Sequence, residues 1–121
     1  MKRLVAAVLL PAIVAACTTT PVIEEQIVSA SYVWGAEVNV VSPCGSKDVF
    51  WVSATSFVQG PLREYYQTVV KQPYQAIFIT FRGHRHFEVI DGFAESFDGL
   101  MHISEVKTMQ VALPAGCENA A

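Results

Sequence analysis

The chain has 121 residues, the usual size of one domain, and this length leaves no room for two. Hydrophobic residues make up 52% of the sequence, and its formal net charge is −3. A nucleic-acid-binding surface needs clustered lysine and arginine, and the nearest approach to such a cluster is Arg82 with Arg85. Because two arginines are more simply explained as solvated surface residues, we do not expect nucleic acid to be a partner.

The first 16 residues have the layout of a secretory signal peptide. Lys2 and Arg3 precede an apolar stretch over residues 4–16 that is broken only at Pro11. This stretch is shorter than the about 20 apolar residues that a helix needs to span a bilayer. We therefore predict that residues 1–16 are removed. Loss of Lys2 and Arg3 from the eight basic residues would leave six against 11 acidic ones, a formal charge of −5.

The signal segment ends in Val14-Ala15-Ala16-Cys17, which resembles the bacterial lipobox. The resemblance implies cleavage before Cys17 and attachment of diacylglycerol to its sulfur. Each buried methylene contributes about 0.8 kcal/mol, so two or more chains anchor a protein durably. An ordinary signal peptide with a chance cysteine near the cut is the alternative. Thr18 replaces the aspartate that resembles an inner-membrane retention signal in enterobacteria, which favours the outer membrane, facing the periplasm.

Residues 17–30 predict a tether, because they hold three threonines, a proline and two glutamates with only scattered aliphatic residues. We place the folded domain at residues 31–117 and a short tail at 118–121. Apolar and polar residues alternate over residues 32–40, the period-two pattern of a strand. A turn at 42–46 and a second strand at 49–52 follow. These two strands should pair as a hairpin.

After Gly60 the apolar spacing changes to three and four residues, which predicts a helix over residues 61–72. Pro61 suits the first helical turn, and Pro73 lies beyond the end. The apolar positions of this helix are Leu62, Tyr65, Tyr66, Val69 and Val70.

Alternation returns over residues 74–81, and Gly83 ends this predicted strand. Its inward positions are Ile77, Ile79 and Phe81. A further strand or hairpin is predicted around residues 86–90. The last strand covers residues 100–109, with Leu100, His102, Ser104 and Val106 on one face. About five short strands and one helix are most economically arranged as a small closed or nearly closed barrel, and a mixed open sheet is the alternative.

A family resemblance rests on dispersed positions, namely Trp34, Pro43-Cys44-Gly45, Trp51-Val52, Leu62 with Tyr65, Asp91-Gly92-Phe93 and the terminal Cys117. Together they look like a family of small bacterial lipoproteins that is similar to the C-terminal OB-fold domain of the NlpE-like envelope lipoproteins. The resemblance implies a mainly β, OB-fold-like barrel. NlpE-like proteins are associated with copper homeostasis and envelope stress signalling. This chain lacks their separate N-terminal domain and its CxxC motif, so neither activity is carried over.

Lipidation of Cys17 leaves Cys44 and Cys117 as an even pair in an oxidising compartment, which favours a disulfide. A metal pair and two free thiols are the alternatives, and no nearby CxxC or Cys/His spacing supports the metal. By the chain-entropy model, such a bridge contributes roughly 4 kcal/mol.

Catalysis is not expected, because no nucleophile, base and orienting group form a recognisable local pattern such as GxSxG, and we expect no cofactor. Four carboxylates cluster in sequence, at Glu88, Asp91, Glu95 and Asp98. They could serve acid–base chemistry or calcium, but they lack the periodicity of a calcium loop. The following glycines indicate that Asp91 and Asp98 are turn residues.

Two sets of residues have the chemistry of a binding site. His84 and His86 project to the same face of a strand and could ligate copper or zinc, with His102 as a third ligand if the last strand lies beside them. Ordinary surface histidines are the alternative. An aromatic ligand surface of the kind that OB-folds use for oligosaccharides or oligonucleotides could be formed by Trp34, Trp51, Tyr65, Tyr66 and Phe81, or these could be core residues.

Two functions therefore remain open. The first is a lipid-anchored, non-enzymatic envelope module that binds a protein partner, a glycan or another envelope component. The alternative is a copper- or zinc-binding or metal-sensing lipoprotein that uses the three histidines.

Overall fold

A computed structural model describes residues 9, 11–12, 24–86 and 97–117. In this part of the chain five strands and one helix follow one another. They are β1 Gln26–Gly35, β2 Val38–Pro43, β3 Phe50–Ser53, α1 Ser56–Val69, β4 Ile77–His86 and β5 Leu100–Gln110.

The five strands close into a barrel in the order β1-β2-β3-β5-β4, and β4 pairs back onto β1. All neighbours are antiparallel except β3 and β5, which run parallel. The helix connects β3 to β4. This is a mainly β, OB-fold-like domain with five strands and one helix, so the predicted fold class is confirmed.

Alternating side chains of the strands fill the barrel, and the helix adds its apolar face to them. The predicted inward set of β4, Ile77, Ile79 and Phe81, is fully buried. Leu62 and Tyr66 of α1 belong to the same buried cluster. The period-two and helical patterns therefore identified these core positions correctly.

The single strand predicted over residues 32–40 is wrong, because this segment is a hairpin. Gly35 pairs with Val38 across a two-residue turn, and β2 then pairs with β3 as Val40 with Trp51. A two-residue turn leaves the alternation of apolar and polar residues in phase, so the sequence pattern does not reveal it.

The folded domain begins earlier than the predicted tether boundary at residue 30. β1 starts at Gln26, which pairs with Gly83 of β4. Residues 26–29 are mostly exposed, so they make strand hydrogen bonds without contributing an apolar pattern.

The helix occupies residues 56–69 instead of 61–72. Thr55 is its N-cap and accepts a hydrogen bond from the backbone of Val58, so Pro61 lies inside the helix and not in its first turn. Capping by threonine satisfies an otherwise unpaired N–H, and this sets the start. Pro73 disfavours helical backbone at Gln72, in keeping with the earlier end at Val69.

β4 continues through Gly83 to His86, so the strand end predicted at Gly83 is wrong. A Cβ at position 83 would lie 2.1 Å from the carbonyl oxygen of His102, so the glycine allows close approach of β5. The last strand was predicted within one residue of its end. Its buried residues are Met101 and Ile103. Val106 also packs on the core, because bulges shift the register of β5, so it does not share one face with His102 as predicted. The strand or hairpin predicted at 86–90 lies outside the described residues beyond His86.

The predicted disulfide between Cys44 and Cys117 is present and spans 73 positions of the chain. It fixes the segment after β5 to the end of β2, and the backbone N–H of Cys44 donates to the carbonyl of Ser29 at 2.8 Å. Cys17 and all of residues 1–16 except 9, 11 and 12 lie outside the described residues. Within the described part of the chain, no helix has the length and apolar character needed to cross a membrane.

Candidate functional site

The two tryptophans expected to form one aromatic surface lie on opposite faces of the sheet. Trp51 stands between the core residues Phe50 and Val52, so its side chain is on the outer face, where its ring centroid lies 5.7 Å from that of Phe97. Trp34 packs against the buried core and meets Tyr66 edge-on, with ring centroids 6.4 Å apart. Only Trp34 borders the cleft beside the β1–β2 turn.

A cleft of about 390 Å³ opens between the β1–β2 turn and the segment that follows α1. This volume lies within the range of about 300 to 1,000 Å³ that is usual for small-molecule sites. Its lining is Trp34, Gly35, Ala36, Tyr66, Gln67, Val70, Lys71, Gln72, Pro73 and Tyr74.

Hydrogen bonds fix the wall that follows the helix. The Tyr66 hydroxyl donates to the carbonyl oxygen of Gln75 at 2.6 Å, and the backbone N–H of Lys71 donates to the Gln75 side chain at 3.1 Å. The backbone N–H of Gln75 donates to the carbonyl of Gln72 at 3.3 Å. Burial raises the pKa of Tyr66, so its hydroxyl keeps its proton at neutral pH. The cleft wall is thus held in place before any ligand arrives.

Tyr74 contributes a second aromatic ring to the lining and has an unusual backbone conformation. Its φ is 61°, a left-handed value that is rare for a bulky residue. The ring lies directly on Gly35, where an added Cβ would be 2.4 Å from Cε1 of Tyr74. The tyrosine is 54% exposed, so the rest of its surface remains available to a ligand. Backbone conformations of this kind persist where surrounding contacts impose them, often at binding sites.

One cation, Lys71, lines the cleft, and a second, Arg63, lies over the ring of Trp34 beside it. The guanidinium carbon of Arg63 lies 5.9 Å from the Trp34 ring centroid, within cation–π range, and Lys71 is part of the lining. Neither has an ion-pair partner within residues 24–86 and 97–117, whereas Arg82, Arg85 and Lys107 each face a carboxylate. The cleft therefore carries local positive charge in an acidic chain.

A polar network joins the helix to the hairpin near the cleft. The Tyr32 hydroxyl donates to Asn39 Oδ1 at 2.8 Å and accepts from Gln59 Nε2 at 2.9 Å. Asn39 Nδ2 donates to Gln59 Oε1 at 3.2 Å. Burial raises the pKa of Tyr32 well above its usual range. The network fixes the position of α1 relative to β1 and β2, and with it the distance from Arg63 to Trp34.

The three histidines of the predicted metal site lie near one another on β4 and β5. His84 pairs directly with His102 between β4 and β5, and their ring centroids are 5.1 Å apart. The rings of His84 and His86 are 6.0 Å apart. A carboxylate oxygen of Glu25 lies 3.7 Å from His84 Nδ1, a buried atom with no hydrogen-bond partner among the described residues. In this same part of the chain, however, no three His, Cys, Asp or Glu side chains are arranged to hold a metal ion.

Of the four clustered carboxylates, only Asp98 is described, and it lies at a bend before Gly99 that contacts Val49. Its Oδ2 accepts from the backbone N–H of Val49 at 2.8 Å, and its own N–H donates to the carbonyl of Val49 at 2.9 Å. Glu88, Asp91 and Glu95 lie outside the described residues.

The sequence did not point to Gly35, Arg63, Lys71 or Tyr74 as site residues. Nothing local predicts left-handed backbone at a tyrosine after proline. The two cations come near Trp34 only through the placement of α1. Trp34 itself was identified by its residue type.

The fold and the cleft define a class, a small OB-fold-like barrel with a preformed aromatic cleft. Comparison with protein-family models, characterised proteins and solved structures found no match. The likeness to NlpE-like lipoproteins therefore stays a prediction, and the fold assignment rests on strand order and pairing.

Proposed function

We propose that the mature protein is a lipid-anchored envelope lipoprotein, held at the outer membrane and facing the periplasm, that acts as a non-enzymatic binding module. The cleft between Trp34 and Tyr74 is its ligand site. The observation that carries this proposal is the preformed cleft, which is lined by the rings of Trp34 and Tyr74 and has a wall fixed by hydrogen bonds from Tyr66 and Gln75.

Two features support export and anchoring. The lipobox-like sequence supplies Cys17 as the acceptor of lipid, and the bridge between Cys44 and Cys117 belongs to an oxidising compartment. Residues 17 to 26 can span at most about 30 Å when fully extended, so the tether would keep the barrel close to the membrane.

The direction of β1 supports a ligand in the periplasm and not in the bilayer. Gln26 begins the strand on the side of the tether, and Trp34 lies near its other end. At about 3.3 Å per residue, eight residues separate them by roughly 26 Å. The cleft is therefore remote from the anchored end of β1.

A site-specific photocrosslinker in place of Gln72, which lines the cleft, tests the proposal in living cells. We expect an envelope component to be captured from this position but not from the exposed Gln110, which is outside the cleft. Tyr74→Asn should remove the product, because asparagine tolerates left-handed backbone while it deletes the ring. Phe57→Asn, at an exposed ring outside the cleft, should leave it unchanged. Absence of a product from position 72, or a product that survives Tyr74→Asn, would contradict the proposed binding role.

A second candidate, a copper- or zinc-binding lipoprotein, is favoured by the pairing of His84 with His102 beside Glu25. Ligand atoms of a tetrahedral ion lie 2.0 to 2.2 Å from it, hence about 3.4 Å from each other. The 3.7 Å between Glu25 and His84 is near that value, but no three such side chains of the described residues are arranged to hold an ion, so binding requires side chains to move.

Thermal unfolding tests this candidate directly. Zn(II) or Cu(II) should raise the Tm, and both His86→Ala and His102→Gln should abolish the rise, with Mg(II) as the matched control. An unchanged Tm in the presence of Zn(II) and Cu(II) would rule the candidate out.

A further inference from the structure

The cleft combines three kinds of side chain that recognise sugars. Flat aromatic rings at Trp34 and Tyr74 can cover the apolar C–H face of a pyranose ring. The amides of Gln67 and Gln72 each offer donors and acceptors that suit hydroxyl groups. Both amide residues are exposed at the cleft, so their hydrogen-bonding groups are available to a ligand.

The charge at the cleft selects for an anion. The whole chain has 11 acidic and eight basic residues, so it repels anions in general. Within the lining, Lys71 is the charged residue, and Arg63 lies over the neighbouring Trp34 ring; neither has a carboxylate partner within residues 24–86 and 97–117. Glu37, in the β1–β2 turn, is not part of the lining. A guanidinium binds carboxylate through two parallel hydrogen bonds, and an ammonium adds a second point of charge.

We propose that this cleft binds a carboxylate-bearing sugar unit of an acidic glycan. The sugar ring stacks on Tyr74 beside Trp34, its carboxylate meets Lys71 and Arg63, and its hydroxyls meet the two glutamines. The proposal rests on the binding function proposed above and names the ligand class of the same site.

The shape of the molecule disfavours the main alternative, an extended peptide. A peptide that binds by strand addition needs an unpaired sheet edge. Each of the five strands pairs with two neighbours, and beside the cleft β1 lacks its second neighbour only over residues 33–35, a short edge for strand addition. The cleft volume of about 390 Å³ suits one end or one unit of a glycan better than a long segment.

Calorimetric titration of the full mature protein in detergent tests the inference, with trigalacturonate as the probe and a neutral galactose trimer as its matched control. We expect trigalacturonate to bind at least tenfold more tightly than the neutral trimer and to weaken as salt is raised, because the charges are exposed. Tyr74→Asn should weaken binding at least tenfold and Lys71→Gln about fivefold. Lys107→Gln, a lysine removed outside the cleft, should have no effect.

Different results of these titrations would overturn different parts of the proposal. Equal affinity for the neutral and acidic trimers would overturn the anion selection. Binding of an acidic peptide such as acetyl-Glu-Glu-Tyr-Glu-amide, without binding of either sugar, would overturn the glycan class. In both cases the crosslink from position 72 would still support a binding module. Loss of that crosslink together with all three ligands would overturn the proposed function as well.

Discussion

Gly35→Ala tests how the cleft is built, because it adds one methyl group beneath the Tyr74 ring. The new Cβ would lie 2.4 Å from Cε1 and 3.0 Å from Cδ1 of that ring, so the ring must leave its position. Gly35 itself does not have a positive φ, so alanine suits its backbone. The clash with Tyr74 is therefore the main expected cost.

The size of that cost follows from the burial of Tyr74. The residue is 54% exposed, so a little under half of its surface is covered. For an aromatic side chain of about 200 Å², this is roughly 90 Å², or about 2 kcal/mol at 25 cal/mol per Å². We expect Gly35→Ala to lower the free energy of unfolding by about 2 kcal/mol in urea titrations.

A double-mutant cycle isolates the contact. In a Tyr74→Asn background the ring is absent, and Gly35→Ala should be neutral or stabilising by about 0.5 kcal/mol through the unfolded chain. Gly60→Ala in α1, where a Cβ meets nothing within 4 Å, is the matched control and should stabilise by about 0.5 to 1 kcal/mol. An equal cost of Gly35→Ala in both backgrounds would refute the packing of Tyr74 on Gly35.

Three further outcomes are expected. Gly83→Ala should lower the free energy of unfolding in urea by about 3 kcal/mol or more, because its Cβ would lie 2.1 Å from the carbonyl oxygen of His102. A loss below about 1 kcal/mol would contradict the tight pairing of β4 with β5. Replacing Cys44 and Cys117 together with serine should cost roughly 4 kcal/mol, and dithiothreitol should reproduce the loss in the parent protein but not in the variant. Because burial raises the pKa of Tyr32 above its ordinary value of 10.0, the stability that this residue contributes is present below pH 10 and is lost as the pH rises further. Ultraviolet titration should show a tyrosine that ionises only as the protein unfolds, and free ionisation of every tyrosine near pH 10 in the folded state would contradict its burial.

The sequence predicted the strands and the helix best where one side of the element is buried, because burial makes apolar residues recur at a regular spacing. Ile77, Ile79 and Phe81 alternate because one side of β4 faces the barrel interior, and Leu62 with Tyr66 has helical spacing because α1 packs on the core. Where strand pairing occurs without burial, no pattern forms. The first residues of β1 are exposed while they pair with β4, and they were mistaken for a tether.

The ends of helices and strands were predicted less well than their core positions. More than one residue near each end could mark the boundary, and the spacing of apolar residues does not choose between them. Thr55 and Pro61 both suit the beginning of a helix, and the structure uses the threonine as the cap while it tolerates the proline inside. Gly83 resembles a turn residue, but it is required by the close approach of His102 on another strand.

The candidate site was predicted only in part, since it arises from tertiary placement. Residue type alone drew attention to Trp34 and to the three histidines. The left-handed backbone of Tyr74 depends on its contact with Gly35, and the nearness of Arg63 depends on where α1 docks. These relations join residues far apart in sequence, and no local spacing encodes them.

The claim that this barrel works as an anchored envelope module is tested most directly by the intact mass of the protein purified from membranes, before and after reduction and alkylation. We expect a chain that begins at Cys17 and carries added acyl mass, with Cys44 and Cys117 alkylated only after reduction. A chain that retains residues 1–16, or one whose Cys44 and Cys117 react without reduction, would contradict it.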